Sequence, residues 1–278
     1  SHGVEFTLST RNISTKNFKW TTDFIFSNAK NKVTELKSDA NVMSMISGSG
    51  FALEGNPVRS LYSLNFQGLN KEGLPTFINE KGELTVTDIN FQERENKSHL
   101  VYEGSTDPTI TGSFGNIFSY KGFKLNVFMT YSFGNVIRLD PVFHNAYSDL
   151  DATPREFKNR WTVAGDEKIT TVPVIADLRQ NTMNSYLNKA YNAYNYSTER
   201  IAKGDFIRMK EISVTYEFPK TMVSKLSLSN LSLKIQGTNL FLLYADKKLN
   251  GQDPEFFNSG GVAVPVPKQF TLTLRLGI

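Results

Sequence analysis

The chain has 278 residues, a formal net charge of +4, 39% hydrophobic and 21% charged residues, and no cysteine. Without cysteine there is no disulfide framework, thiolate metal site or cysteine nucleophile. The pI near 9.0 does not signal nucleic acid, because Lys and Arg are scattered along the chain instead of forming a basic run. The length admits one large all-β unit or two small domains. No stretch approaches the roughly 18 to 20 consecutive apolar residues of a membrane helix, and mean hydropathy is −0.32. Strands that cross a bilayer alternate, however, and so average to a polar score. No secretory leader opens the chain, since Ser1-His2-Gly3 runs straight into a strand-like pattern.

In chain order, Val4, Phe6, Leu8 and Thr10 alternate with Glu5, Thr7, Ser9 and Arg11. Phe18, Trp20, Thr22, Phe24 and Phe26 alternate with Lys19, Thr21, Asp23 and Ser27, with Ile25 the one exception. The pattern returns at Leu125, Val127, Met129, Tyr131 and Phe133, at Leu231, Leu233 and Ile235, and at Phe270, Leu272, Leu274, Leu276 and Ile278. Each is read as a period-two segment of roughly nine to eleven residues, the length of a tilted transmembrane strand, against about five or six in soluble sandwiches. From Phe206 to Phe218 the phase breaks after Met209 and resumes at Ile212. One extra residue at Lys210-Glu211 predicts a β-bulge, and the Ile, Val, Thr and Tyr that follow argue against a helix.

The connections are unequal. Tyr120-Lys121-Gly122-Phe123 leaves room only for a tight hairpin with Gly122 at positive φ. Asn12 to Asn17 and Pro219 to Asn230 are also short or moderate. Ala29 to Gly112, Gly134 to Asp205 and Leu242 to Gln269 are long. Short and long links alternate, as short periplasmic turns and long extracellular loops do in a membrane barrel. The final strand then runs toward the periplasm, and the first strand starts on the extracellular side. About seven membrane strands make an odd count, so a fragment or one chain of a split barrel is expected.

The run Gly204-Asp205-Phe206-Ile207-Arg208-Met209-Lys210-Glu211-Ile212-Ser213-Val214-Thr215-Tyr216 resembles the signature of SusC/RagA-type TonB-dependent transporters. Gln236-Gly237-Thr238-Asn239-Leu240-Phe241, Gly251-Gln252-Asp253-Pro254-Glu255 and Pro267-Lys268-Gln269-Phe270-Thr271 are similar to later motifs of that family, in the same order. Upstream, Gly3-Val4-Glu5-Phe6, Asn31-Lys32-Val33 and Tyr120-Lys121-Gly122-Phe123 match as well. The resemblance implies an all-β chain of about seven to nine C-terminal strands of a large antiparallel transmembrane β-barrel with long extracellular loops. Residues 1–278 would form the C-terminal part, with the plug domain and N-terminal strands upstream. It further implies import of glycans or peptides with energy from TonB, contacted through the N-terminal part, and a SusD-like surface lipoprotein as lid. The location would be the outer membrane of a Gram-negative, Bacteroidetes-like bacterium, with outer-membrane lipid around the barrel. Two departures stand out. The family ends in an aromatic residue where this chain has Ile278, and its acidic "DLNGDG" region is only loosely matched near Glu80-Lys81-Gly82-Glu83, so no metal site is carried over.

The remaining chemistry points to a non-enzyme without a cofactor. His2, His99 and His144 lack metal-ligand spacing, and no HExxH, P-loop or GxSxG motif occurs. Asp149 and Asp151 lack the Gly and distal Glu of a calcium loop. Arg160-Trp161 with Gly165-Asp166 resembles a loop motif of the family and is expected to serve loop architecture above ligand contact. Tyr191 and Tyr194 lie in an aromatic segment from Gln180 to Thr198, where tyrosines stack on sugars, dock a lid, or pack a loop helix on the barrel rim. Arg160, Trp161, Tyr191 and Tyr194 are therefore the candidates for substrate or lid contact. Phe270, Leu272, Leu274 and Leu276 are the candidates for the closing and assembly strand. A surface adhesin and a secreted carbohydrate-active enzyme are the competing classes, but for the enzyme no carboxylate pair can be assigned from spacing.

Overall fold

Seven long strands pair in the order in which the chain makes them, every neighbour antiparallel. They are β1 (His2–Ser14), β2 (Phe18–Lys30), β3 (Ile110–Tyr120), β4 (Phe123–Phe133), β5 (Phe206–Glu217), β6 (Asn230–Ala245) and β7 (Gln269–Gly277). The computed structural model describes residues 1–37, 39–48, 50–143, 154–257 and 266–278.

The register turns the local alternation into two faces. One row crosses all seven strands as Ile13, Trp20, Phe118, Leu125, Val214, Ile235 and Leu272, each paired with the next. The adjacent row is Ser14, Lys19, Ser119, Lys124, Thr215, Lys234 and Thr273. A one-residue slip would exchange the two sets, so the pattern itself pins the pairing. Trp20 and Met129 thus lie on the apolar face, as their alternation with Lys19 and Lys124 predicts. On the polar side Lys124, Asn126, Ser213, Lys234, Thr273 and Arg275 help line a cavity of about 290 Å³. This marks the concave, lumen-facing side of a barrel wall. There Glu211 accepts from Asn126 Nδ2 (3.0 Å) and Ser213 Oγ (2.9 Å), with Lys234 Nζ at 3.6 Å.

The apolar face carries few polar groups, and they satisfy one another. Asn116 accepts from Trp20 Nε1 (2.9 Å) and Thr22 Oγ1 (2.7 Å), while Asn12 Nδ2 donates to Thr22 Oγ1 (2.7 Å). Asn12 is itself the extra residue of a bulge between Arg11 and Ile13. The alternation alone places a link from Asn12 to Asn17, whereas β1 runs on to Ser14 and leaves only a three-residue turn. The predicted bulge in β5 is present: the register shifts between Met209 and Glu211 against both neighbouring strands. In the β3–β4 hairpin Gly122 has positive φ (87°), and Lys121 does too (45°), which gives the strand twist that two-residue hairpins favour.

The connections on one side are short and those on the other are long, but the long ones are not structureless. Between β2 and β3, Ser60–Leu64 pairs with Leu100–Ser105, and Phe66–Leu69, Pro75–Ile78 and Leu84–Thr85 form a small sheet. Between β4 and β5, Val136–Arg138 pairs with Ile201–Lys203 and extends those two strands upward. The main buried cluster is built from both connections and includes Ile46, Leu64, Phe77, Val142, Phe143 and Tyr194. The core therefore sits in the loops above the wall, as expected of a sheet that turns its apolar face to lipid and its polar face to a lumen.

Val127 lies mid-strand on the apolar face, between Asn116 and Ile212. In the full-length barrel reconstituted in vesicles, Val127→Arg is expected to cost roughly 2 to 4 kcal/mol of unfolding free energy. Thr273→Ala, on the polar face, should stay within about 0.5 kcal/mol. Equal costs at both positions would refute the assignment of faces.

Candidate functional site

The platform formed by the long connections holds most of the candidate contact residues. Arg160 and Trp161 lie in a loop that is internally capped. The Asp166 carboxylate accepts from Thr162 N (2.9 Å), Thr162 Oγ1 (3.0 Å) and Val163 N (3.0 Å), and these hydrogen bonds lower its pKa. The pKa of Glu167 is lowered likewise, first by a hydrogen bond from its own backbone N–H and then by Trp161 Nε1 (3.1 Å) and Gly165 N (2.8 Å). The Trp161 ring packs on Gly73, where an added Cβ would stand 2.5 Å from it and where φ is +78°. Trp161 is thus held by both its indole N–H and its face. Arg160 extends its guanidinium over the Phe157 ring at 5.2 Å and lines a cavity of about 840 Å³ with Lys158, Lys168, Lys247 and Lys248.

The two tyrosines are placed differently. Tyr194, on the helix Leu187–Asn195, is 1% exposed and makes edge contacts with Phe66 and Phe143. Burial pushes its hydroxyl pKa up. Tyr191 donates from its hydroxyl to Val174 O (2.6 Å) and packs on Phe143 at 4.8 Å. Both rings are tied into the platform core and pack on neighbouring loops, whereas the loop-helix alternative placed them on the barrel rim. In this conformation Tyr194 offers no face to a ligand. Arg160 is the candidate contact residue that opens onto a cavity.

The closing-strand residues lie where their alternation places them. Phe270, Leu272, Leu274 and Leu276 pair with Gly237, Ile235, Leu233 and Leu231 of β6 and are 75%, 69%, 58% and 57% exposed. Within the described residues β7 has no strand on its other edge. His2 lies exposed on β1. His99 is buried, and desolvation lowers its pKa despite the nearby Glu80 and Glu93. His144, Asp149 and Asp151 lie outside the described residues. At the region that departs from the family, Lys81 Nζ pairs with Asp88 (3.2 Å) and Asn79 holds the turn by accepting from Lys81 N and Glu83 N. An ammonium thus stands among the acidic groups of that loop.

Two of the sequence motifs meet in the fold, which their spacing does not announce. Arg208 lies on the polar side of β5, paired with Thr130 of β4. Its Nη2 donates to Asp253 Oδ1, and its Nε lies 3.2 Å from Glu255 Oε2. The Arg208 and Asp253 side chains are 6% and 8% exposed. The connection between β6 and β7 is therefore pinned by charge against the barrel wall. The signal was present in Asp205-Phe206-Ile207-Arg208 and in Asp253-Pro254-Glu255, but nothing in the spacing says that residues 45 apart meet. Removing one partner of a buried pair costs about 3 to 5 kcal/mol where the group cannot reach water. Asp253→Asn in the intact barrel is thus expected to release this connection and speed its cleavage in limited proteolysis. Glu255→Gln, at a more exposed carboxylate, should change cleavage little. Unchanged cleavage of Asp253→Asn would contradict the pinning.

No family model matches the chain. It is 26% identical over 269 residues to TonB-dependent receptor P3 of Formosa agariphila, covering 91% of this chain and 25% of that protein. It is 24% identical to TonB-dependent receptor P39 of the same organism, covering 100% of this chain and 30% of that one. The chain thus spans a quarter to a third of the curated relatives' length. Among solved structures, the RagAB peptide transporter superposes with a TM-score of 0.70 at 20% identity, over 99% of this chain and 29% of that one. The RagAB peptide importer in the 'open-open' state gives 0.70 at 21%, over 99% and 28%. In sequence the chain is similar to part of TonB-dependent receptors, and in fold to part of the RagAB peptide transporter.

Proposed function

We propose that residues 1–278 are the C-terminal part of an outer-membrane active transporter whose plug and N-terminal strands lie upstream. It imports oligosaccharide or peptide cargo with energy delivered by TonB through that N-terminal part. The observation that carries this reading is the two-faced wall: one apolar and one polar row across seven strands, the polar side lining a cavity from β3 to β7, beneath a folded platform of long connections. A wall of this kind, closed by further strands, borders an aqueous path.

A SusD-like lipoprotein covering the extracellular side is the partner that fits best. The connection between β4 and β5 exposes Val163, Ile169, Leu178, Met183 and Tyr186, with Ile169 and Leu178 more than 80% exposed. Large apolar side chains left in water on one connection are the usual material of an interface. The closing strand is assigned a second role, as the terminal signal by which the barrel is assembled. A strand without a partner in hydrocarbon is not viable, so β7 must pair with a strand from the upstream part.

Uptake of labelled cargo by the intact bacterium tests the reading. It should stop when the gene is deleted, when TonB is removed, and when residues 270–278 are deleted. In the last case the barrel should also be missing from the outer-membrane fraction. Uptake that persists without TonB would overturn the energy source, and a truncated barrel found folded in the membrane would overturn the closing-strand role.

A further inference from the structure

The cavity beside Arg160 is unusual in how its charges are spent. Its lining carries five cations and three carboxylates. Glu156 pairs with the buried Arg200 at 2.6 Å, while Asp166 and Glu167 accept from the backbone and indole N–H groups of their own loop and keep their negative charge, so the cations remain in excess. The cations are not spent in this way. Lys248 reaches Glu199 at 3.7 Å, but among the described residues Lys158, Arg160, Lys168 and Lys247 have no carboxylate within ion-pair distance. These four converge from two separate connections on one concavity of about 840 Å³. Single exposed lysines are weak, but several like charges lining a concave surface focus a field that raises the local concentration of an anion.

We propose that this cavity is an anion-selective cargo subsite at the extracellular mouth, and that its ligand is a peptide segment rich in carboxylates. This deepens the transport reading and rests on it for the direction from which cargo arrives. The lining favours a peptide over an acidic sugar. A pyranose site presents an open aromatic face for stacking, whereas here the Trp161 ring is covered by Gly73 and the Phe157 ring by the Arg160 guanidinium. The apolar lining is instead aliphatic, from Ile169 and Val172, which suits side chains between carboxylates. Lys168 and Arg160 flank a loop that its own caps hold rigid, so binding does not have to order it.

The test uses the full-length protein in detergent micelles, with fluorescein-labelled hexaglutamate, hexaglutamine and oligogalacturonate as probes. Hexaglutamate is expected to bind about tenfold or more tighter than hexaglutamine. The preference should fade as salt rises from about 0.05 M to about 0.5 M. The triple change Lys158→Glu, Lys168→Glu and Lys247→Glu should abolish it, while the barrel keeps its heat-modifiable mobility. Equal binding of the two peptides, or a preference that survives the triple change, overturns the site. Tight binding of oligogalacturonate with none of hexaglutamate overturns the peptide assignment. Because binding is read without TonB, a failure of energised uptake overturns the transport reading alone and leaves this result standing.

Discussion

In hydrocarbon each backbone N–H and C=O must find its partner within the protein, and that constraint organises this chain. It explains why seven strands pair with immediate neighbours only, with no crossover in the sheet. It also explains why the polar side chains on the lipid side, Asn12, Thr22 and Asn116 with the Trp20 indole, form a closed hydrogen-bonded set. The same demand makes β1 and β7 the costly places, because each presents an open edge within the described residues. A barrel removes such edges by closing on itself, so the wall has a stable existence only beside further strands.

Once the apolar face is given to lipid, the chain has little opportunity to build a core within the sheet. The core moves into the connections, where Tyr194, Phe143, Phe77 and Ile46 bury one another. That platform is joined to the wall by charge as well as by packing. Arg208 on β5 holds Asp253 of the last connection, and Arg138 at the top of the wall donates to Tyr62 O (2.6 Å) of the first. Desolvation lowers the Arg138 pKa to about 10, which is still far above neutrality, so the charge is kept. Platform and wall are thus tied together at both connections.

The membrane strands were legible because a one-sided environment imposes a period of two, and β2, β4 and β7 carry it almost without exception. The bulge in β5 was legible for the same reason, since only an extra residue reconciles Met209 with Ile212. The bulge at Asn12 was not, because Asn12 looks like the start of a turn. The strand Ser60–Leu64 was equally hidden. It is buried on both sides, so its residues do not alternate. The aromatic segment around Tyr191 and Tyr194 announced its composition but not its direction, and packing against Phe143 and Phe66 turned both rings inward. The Arg208–Asp253 pair was hidden because sequence spacing carries no information about a loop that folds back on its own wall.

Adjacent residues along these strands face opposite solvents. These 278 residues have no cysteine, so, with any cysteine elsewhere in the full-length barrel replaced, single cysteines are introduced at positions 124, 125, 214 and 215 in lipid vesicles. A fluorescent label at each is then challenged with a lipid-soluble and with a water-soluble quencher. Labels at 125 and 214 are expected to respond to the lipid quencher alone, and those at 124 and 215 to the aqueous quencher alone. Labels that all respond to the aqueous quencher would contradict a membrane wall, and a reversed pattern would contradict the register.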